Sequence, residues 1–329
     1  MARRRTAYPQ IRRRLLGPHI VKIFRDQADR YGSRLAVEKR SLGIWKGWSW
    51  QEYYETARRI GLGLYHLGIR SKDRVALCSE NRLEWIAADM GIMGIGACTV
   101  PIYPSITAEE MIFITGQSES KILILENQIA LDRIFKNRSR CPHLEKIILI
   151  ESSEEISNPD VILSFEDLKR LGGRYADTGL FETSGDQINS EDIATLVYTS
   201  GTTGPPKGVM ITHNNILSVF EALDAVVPAY ETDVTVPFLP LSHVFERIAG
   251  HLYGLKVGIT AHYTENFNTL MEDIQTKKPT VILSVPRFLE KVYARMLTKI
   301  HEQPSWKREV FNWAWNMEKD ADVLKNQKK

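Results

Sequence analysis

The stretch VYTSGTTGPPKGVMITH, Val197 to His213, constrains this chain more tightly than any other. An apolar, β-rich run, DIATLVYTS, leads into it, and HNNILSVF, which overlaps its end, has the asparagine start and apolar spacing of a helix. A glycine-rich connection after a buried strand is the setting in which exposed backbone N–H groups collect a phosphate. Gly201, Gly204 and Gly208 allow unusual backbone angles and close approach of a ligand. Thr199, Ser200, Thr202 and Thr203 offer hydroxyls to phosphate oxygens or a magnesium ion, and Lys207 offers a mobile point charge. A plain surface loop turning at Pro205 and Pro206 accounts poorly for so many of these residue types together.

Two familiar phosphate loops are excluded by spacing. A Walker loop needs glycine before its lysine and a hydroxyl after it, whereas Lys207 lies between Pro206 and Gly208. The G-x-G-x-x-G fingerprint of dinucleotide folds is absent as well.

Helical and strand-like segments alternate from Ile20 onward. IVKIFRDQADRYG, QEYYETARRIGLGLYHLG (with Gly68 as its cap), RLEWIAADMGIMGIG and AEEMIFITGQSE read as helices. RLAVEKR, GWSW, DRVALCSE, CTVPIYP, KILILE and EKIILIE read as strands, and so does TVILSV near residue 280. This alternation predicts an α/β fold of mostly parallel sheets flanked by helices. Residues 152–190, rich in Ser, Asp, Glu and Gly, read as a linker or surface excursion. The length of 329 residues predicts two α/β subdomains, 19–190 and 191–329, after a basic arm at 1–18. Near the end, Trp306, Val310, Trp313 and Met317 form a helical apolar stripe that calls for a cover, either the core or a partner, a homodimer among the options.

A net charge of +3 gives no general reason to expect nucleic acid as a partner. Local charge is another matter: Arg3–Arg5 and Arg12–Arg14 precede the first acid, Asp26, so the arm is either a solvated tail, a targeting segment or a contact for anionic membrane. No run is long and apolar enough to span a bilayer, and Cys78, Cys98 and Cys141 show no metal or disulfide spacing. A reducing, cytoplasmic setting with at most peripheral membrane contact is expected.

YTSGTTGPPKG resembles the phosphate-loop signature of the adenylate-forming superfamily. WSWQEYYETARRIGLGLYHLG, GIMGIGACTVPIYPS, PFLPLSHVFERIAG and VILSVPRFLEKVY resemble its long-chain fatty acyl-CoA synthetase branch, over about residues 20 to 320. The resemblance implies ATP, Mg²⁺ and coenzyme A as co-substrates and a fatty acid as the acid. The carboxylate attacks the α-phosphorus of ATP, pyrophosphate leaves, and the thiol of coenzyme A then takes the acyl group. It implies further that Thr199–Gly208 close over the phosphates, with Thr202 on the magnesium side and Lys207 on the terminal phosphates. His243, in LPLSHVFER, is implied beside the acyl carboxylate, and Arg287, after VILSVP, beside phosphate or the acyl tunnel, with a structural ion pair as the alternative for Arg287. Glu246 and Arg247 read as a surface or partly buried ion pair.

The chain departs from that pattern downstream. It holds no Y-G-x-T-E segment, no S/T-G-D after the loop, and no C-terminal domain with its lysine. A fragment inactive alone is therefore expected, with a non-catalytic binding or interaction protein on the same fold as the alternative.

Overall fold

The computed structural model describes residues 19–152, 158–175, 178–199 and 204–326, except the side chains of 314, 316 and 318–326. The arginine-rich arm lies outside the described residues. Two compact units emerge, residues 1–283 and 284–329.

Strands with apolar residues on both faces build the first unit. β3 (Arg74–Cys78), β4 (Cys98–Ile102), β5 (Ile122–Leu125), β6 (Lys146–Leu149), β7 (Ile162–Ser164), β8 (Ile193–Thr199) and β9 (Lys207–Thr212) form one sheet in the order β7-β6-β5-β3-β4-β8-β9. All neighbours are parallel except β8 and β9. Unbroken runs such as Ile122–Leu125 are buried on both faces, as a covered parallel sheet requires. A smaller sheet has the order β10-β11-β1-β2, from β1 (Leu35–Ser41), β2 (Ile44–Ser49), β10 (Val234–Thr235) and β11 (Thr260–Tyr263). Each sheet draws strands from both sides of residue 190, so no boundary there separates them.

Helices α1 (Ile20–Tyr31), α2 (Trp50–His66) and α3 (Leu83–Gly94) share one core with both sheets, where Phe24, Trp50, Trp85 and Ile86 are buried. A glycine-to-glycine approach brings α2 against α3: a Cβ on Gly91 would lie 2.6 Å from the Ala57 carbonyl oxygen. On the other face of the larger sheet, α4 (Ala108–Gln117) and α5 (Gln128–Phe135) bury Met111, Ile112 and Leu131. Gly68, at φ +98°, follows α2 and donates its N–H to the Tyr65 carbonyl, the expected cap.

Residues 152–190 are not a linker. They supply the edge strand β7, α6 (Phe165–Gly173) and α7 (Leu180–Asp186), and bury Phe165, Leu168 and Phe181. Their polar residues face outward and mask a sparse apolar periodicity. TVILSV forms no strand either, only a bridge between Thr235 and Val281. The three cysteines are buried and free, and burial pushes the Cys78 and Cys98 thiols up to about 12, so they act as packing groups.

The first unit also holds α8 (His213–Val226), α9 (Tyr253–Val257) and α10 (Leu270–Lys277); in the second unit, α11 (Pro286–His301) and α12 (Ser305–Asn326) meet through Tyr293 and Trp315, whose rings are 6.1 Å apart. The stripe Trp306, Val310, Trp313 and Met317 is exposed. Among the described residues no helix is long and apolar enough to cross a membrane.

Arg247 corrects the surface ion-pair reading. It is 1% exposed, and its Nε donates to Asp89 Oδ2 at 2.8 Å while Nη2 meets Oδ1. Its Nη1 donates to Thr195 Oγ1 at 2.5 Å, and that hydroxyl donates to the Thr99 carbonyl at 2.7 Å. The guanidinium lies 5.7 Å from the Trp85 ring. The pair ties α3 to β8 and, through Thr99, to β4. Truncating one partner leaves a buried charge uncompensated, so Asp89→Ala or Arg247→Ala is expected to lose about 3–5 kcal/mol in urea denaturation. A loss below about 1 kcal/mol for both would contradict this reading.

Candidate functional site

The strands on either side of the glycine-rich stretch, β8 and β9, pair antiparallel as the two arms of a hairpin. Thr199 at the end of β8 pairs with Lys207 at the start of β9, and Tyr198 pairs with Gly208. The apolar VMIT that follows Gly208 fits a strand and a helix lead-in equally, so local pattern alone does not mark β9. Thr199 and Lys207 are both exposed at the base of the tip, and Lys207 has no ion-pair partner among the described residues. Ser200, Gly201, Thr202 and Thr203 lie outside the described residues.

The glycines differ in purpose. Gly204 sits at φ +117°, a conformation that side chains rarely adopt. Gly208 has ordinary angles, but a Cβ there would come within 3.0 Å of the Tyr198 ring packed across from it. Tyr198 in turn donates its hydroxyl to Gln117 on α4, so Gly208 serves the hairpin's seat on the sheet.

Beside the hairpin, a cavity of about 380 Å³ is lined by Ile102, Tyr103, Ile114, Tyr198, Thr199 and Pro206 among others. It opens at the carboxyl ends of β4 and β8, where open α/β sheets hold ligands. A larger groove of about 1580 Å³ runs along α2 and α6, but none of its lining residues belongs to the hairpin or to the His243 segment, and its charges are mixed. Chemistry favours the smaller cavity.

His243 stands near that cavity, its ring edge-on to Tyr103 with centroids 6.4 Å apart. The Phe245 N–H donates to His243 Nδ1 at 3.1 Å, so the neutral imidazole carries its proton on Nε2. The side chain is exposed, leaving that Nε2–H free to donate to an incoming oxygen anion. Arg287 lies at the start of α11 in the second unit. Among nearby aromatics, Tyr103 lines the cavity, whereas Phe220 and Tyr253 are buried in the core.

A π-helix, Phe245–Leu252, starts two residues past His243. Such i→i+5 turns are rare and concentrate at functional sites. Its Glu246 carboxyl is 1% exposed and has an Oε2 without a partner among the described residues. Burial pushes Glu246 up to about 8. Gly250 makes room for it, since a Cβ there would overlap the carboxyl. One turn on, His251 is held between Tyr53 (Nε2, 3.0 Å) and Tyr263 (Nδ1, 2.8 Å), and burial lowers it to about 4.

Asn81, just past β3, was not singled out from sequence. Its Nδ2 donates to the Leu239 carbonyl and its Oδ1 accepts from the Leu241 N–H, each at 2.7 Å. An asparagine closing a buried strand, in CSEN, was the available signal. The S-G-D triplet at Ser184–Asp186 precedes the loop, closes α7 and gives Asp186 to Arg25 at 2.7 Å.

Two mostly parallel sheets with a glycine-rich hairpin at the carboxyl ends of the strands define an α/β fold with a candidate ligand cleft there. The chain belongs to the AMP-binding enzyme family, whose profile matches residues 24–319. It is 28% identical over 313 residues to the long-chain-fatty-acid–CoA ligase ACSBG2 of Xenopus laevis, covering 93% of this chain and 42% of that protein. It is 32% identical over 253 residues to the long-chain-fatty-acid–CoA ligase FadD15 of Mycobacterium tuberculosis, covering 76% of this chain and 41% of that one. The chain thus spans well under half the length of these relatives. The anthranilate CoA ligase AuaEII, solved with anthranoyl-AMP, shares its fold with a TM-score of 0.71 at 24% identity, over 81% of this chain and 50% of that one. The N-terminal domain of FACL13 from Mycobacterium tuberculosis shares it equally, with a TM-score of 0.71 at 23% identity, over 83% and 64%.

The Glu246 carboxyl sets a pH dependence. The folded chain holds its proton up to about 8, whereas the unfolded chain releases it near the ordinary 4.5. Between those values the unfolded state binds fewer protons, so the stability contributed falls as pH rises. Glu246→Gln is expected to gain stability over the parent progressively from pH 5 to pH 8, by roughly 3 kcal/mol at pH 7. His213 and His251, each lowered to about 4 by burial, act only on the acid side and cancel in the comparison. Denaturation across pH checks it: a difference independent of pH would contradict the buried, neutral carboxyl.

Proposed function

We propose that this chain carries the phosphate-gripping and carboxylate-placing part of an AMP-forming long-chain fatty acid–CoA ligase. The single observation behind this reading is the hairpin: Thr199 and Lys207 close the base of a glycine- and hydroxyl-rich tip, next to a cavity near His243. Family membership and the ligase names of the relatives support it.

The fatty carboxylate is itself the nucleophile, so no protein nucleophile is required. Its oxygen forms a bond to the α-phosphorus of ATP as the bond to the bridging oxygen of pyrophosphate breaks, and coenzyme A then displaces AMP through its thiolate. The protein's share is positioning and charge stabilisation. Lys207 and the tip hydroxyls Thr199, Ser200, Thr202 and Thr203 hold the departing phosphates, with backbone N–H groups of Gly201, Gly204 and Gly208 alongside. His243 Nε2–H steadies the attacking carboxylate, and Arg287 is assigned to the phosphate or the acyl tunnel.

Among the described residues no cluster of His, Cys, Asp or Glu could hold a metal ion. A hydroxyl-lined phosphate site still suits Mg²⁺, which keeps several waters and takes few protein ligands beside phosphate oxygens. Thr202 is the hydroxyl assigned to it, and the ion when bound neutralises charge on the phosphates.

The exposed stripe on α12 favours a second reading, a binding protein that docks a partner through that face. Limited proteolysis with millimolar Mg·ATP separates the two. Protection of the chain that drops about 10- to 100-fold in apparent affinity in Lys207→Ala, as for one lost charge-assisted hydrogen bond, supports the ligase reading. Indifference to Mg·ATP together with tight self-association supports the other.

A further inference from the structure

We propose that Asn81 is a positioning residue for His243. The geometry forms a chain of specific bonds. The Asn81 carboxamide imitates the edge of a neighbouring peptide, donating to the Leu239 carbonyl and accepting from the Leu241 N–H, each at 2.7 Å. Both flanks of Pro240 are thereby fixed. The Pro240 carbonyl accepts the His243 N–H at 2.9 Å, and the neighbouring Ser242 hydroxyl donates to the Ile102 carbonyl at 3.3 Å, at the end of β4. On the other side, the His243 carbonyl accepts the Arg247 N–H at 3.0 Å, and Arg247 is anchored by Asp89.

His243 is therefore held from both directions while its ring stays exposed. A proline-containing segment has no neighbouring strand to supply its hydrogen bonds, and Pro240 has no N–H of its own. Without Asn81 the Leu239 carbonyl and Leu241 N–H have no side chain to fix them, and the turn that carries His243 loses its register. The Phe245 N–H to Nδ1 bond, 3.1 Å in length, depends on that register, and with it the Nε2–H tautomer. Asn81 thus acts through another residue, and its part in the reaction rests on the reading of His243 as the carboxylate contact.

The test uses the full chain with ¹⁵N-labelled histidine, whose ring nitrogens report the tautomer directly. In the parent, the neutral His243 ring is expected in the Nε2–H form. In Asn81→Ala, its ring nitrogens are expected to move toward a tautomer average, while His251, held by Tyr53 and Tyr263, stays unchanged and certifies the fold. Asn81→Asp keeps the acceptor for Leu241 but sets a carboxylate against the Leu239 carbonyl, so it is expected to shift His243 in the same direction.

If Asn81→Ala disturbs His251 as well, the aspartate variant decides. An unchanged His243 tautomer in a folded variant, with His251 intact, overturns the proposal. Palmitate titration of the parent addresses the underlying reading separately. Should palmitate leave the His243 nitrogens unmoved while the Asn81 variants shift them, the carboxylate role fails and the positioning stands.

Discussion

The buried pair of Arg247 and Asp89 is the joint on which the arrangement depends. Removing two ions from water costs several kcal/mol each, and only bidentate geometry with further hydrogen bonds offsets it. Here Nη1 reaches Thr195, and the guanidinium lies near the Trp85 ring. The consequence is positional: α3, β8 and the π-helix are tied to one another at a point inside the core. β8 ends in Thr199, and the π-helix starts two residues past His243, so both halves of the candidate site are referenced to the same buried contact.

Around that joint the polar groups show a division of labour. Buried ones are mostly satisfied and rigid: Thr195 to Thr99, and His251 between two tyrosines. Those proposed for chemistry are exposed: Thr199 at the carboxyl end of β8, Lys207 at the start of β9, and His243 in the turn before the π-helix. Glu246 belongs to neither group, being buried yet with an oxygen left unpaired. A carboxyl in that position stays neutral near pH 7, at the cost of stability toward higher pH.

Much of the fold was legible in the residues. Unbroken apolar runs such as KILILE could only be covered parallel strands, and the helix Trp50–His66 announced itself by its apolar spacing and by Gly68. The hairpin was hidden because Lys207 and Gly208 break the apolar pattern just where β9 begins, and pairing with β8 is a non-local fact. Polar composition concealed β7 and α6, whose few buried residues suffice at a sheet edge. Arg247 and Glu246 are adjacent and oppositely charged in sequence, yet Arg247 finds Asp89 across the core, whereas Glu246 Oε2 has no partner among the described residues. Such pairings depend on which elements pack together, and no spacing rule supplies them. The residue types and order of the phosphate tip were legible; the Asn81 clamp was not.

A crystal structure of the chain grown with Mg²⁺ and pyrophosphate tests the account most directly. The predicted result is pyrophosphate at the hairpin tip, within hydrogen-bond distance of Lys207 Nζ and the hydroxyl of Thr199, with the Arg247–Asp89 pair unchanged beneath it. Pyrophosphate bound only elsewhere, for instance in the groove along α2, or absent from the tip at saturating concentration, would contradict it.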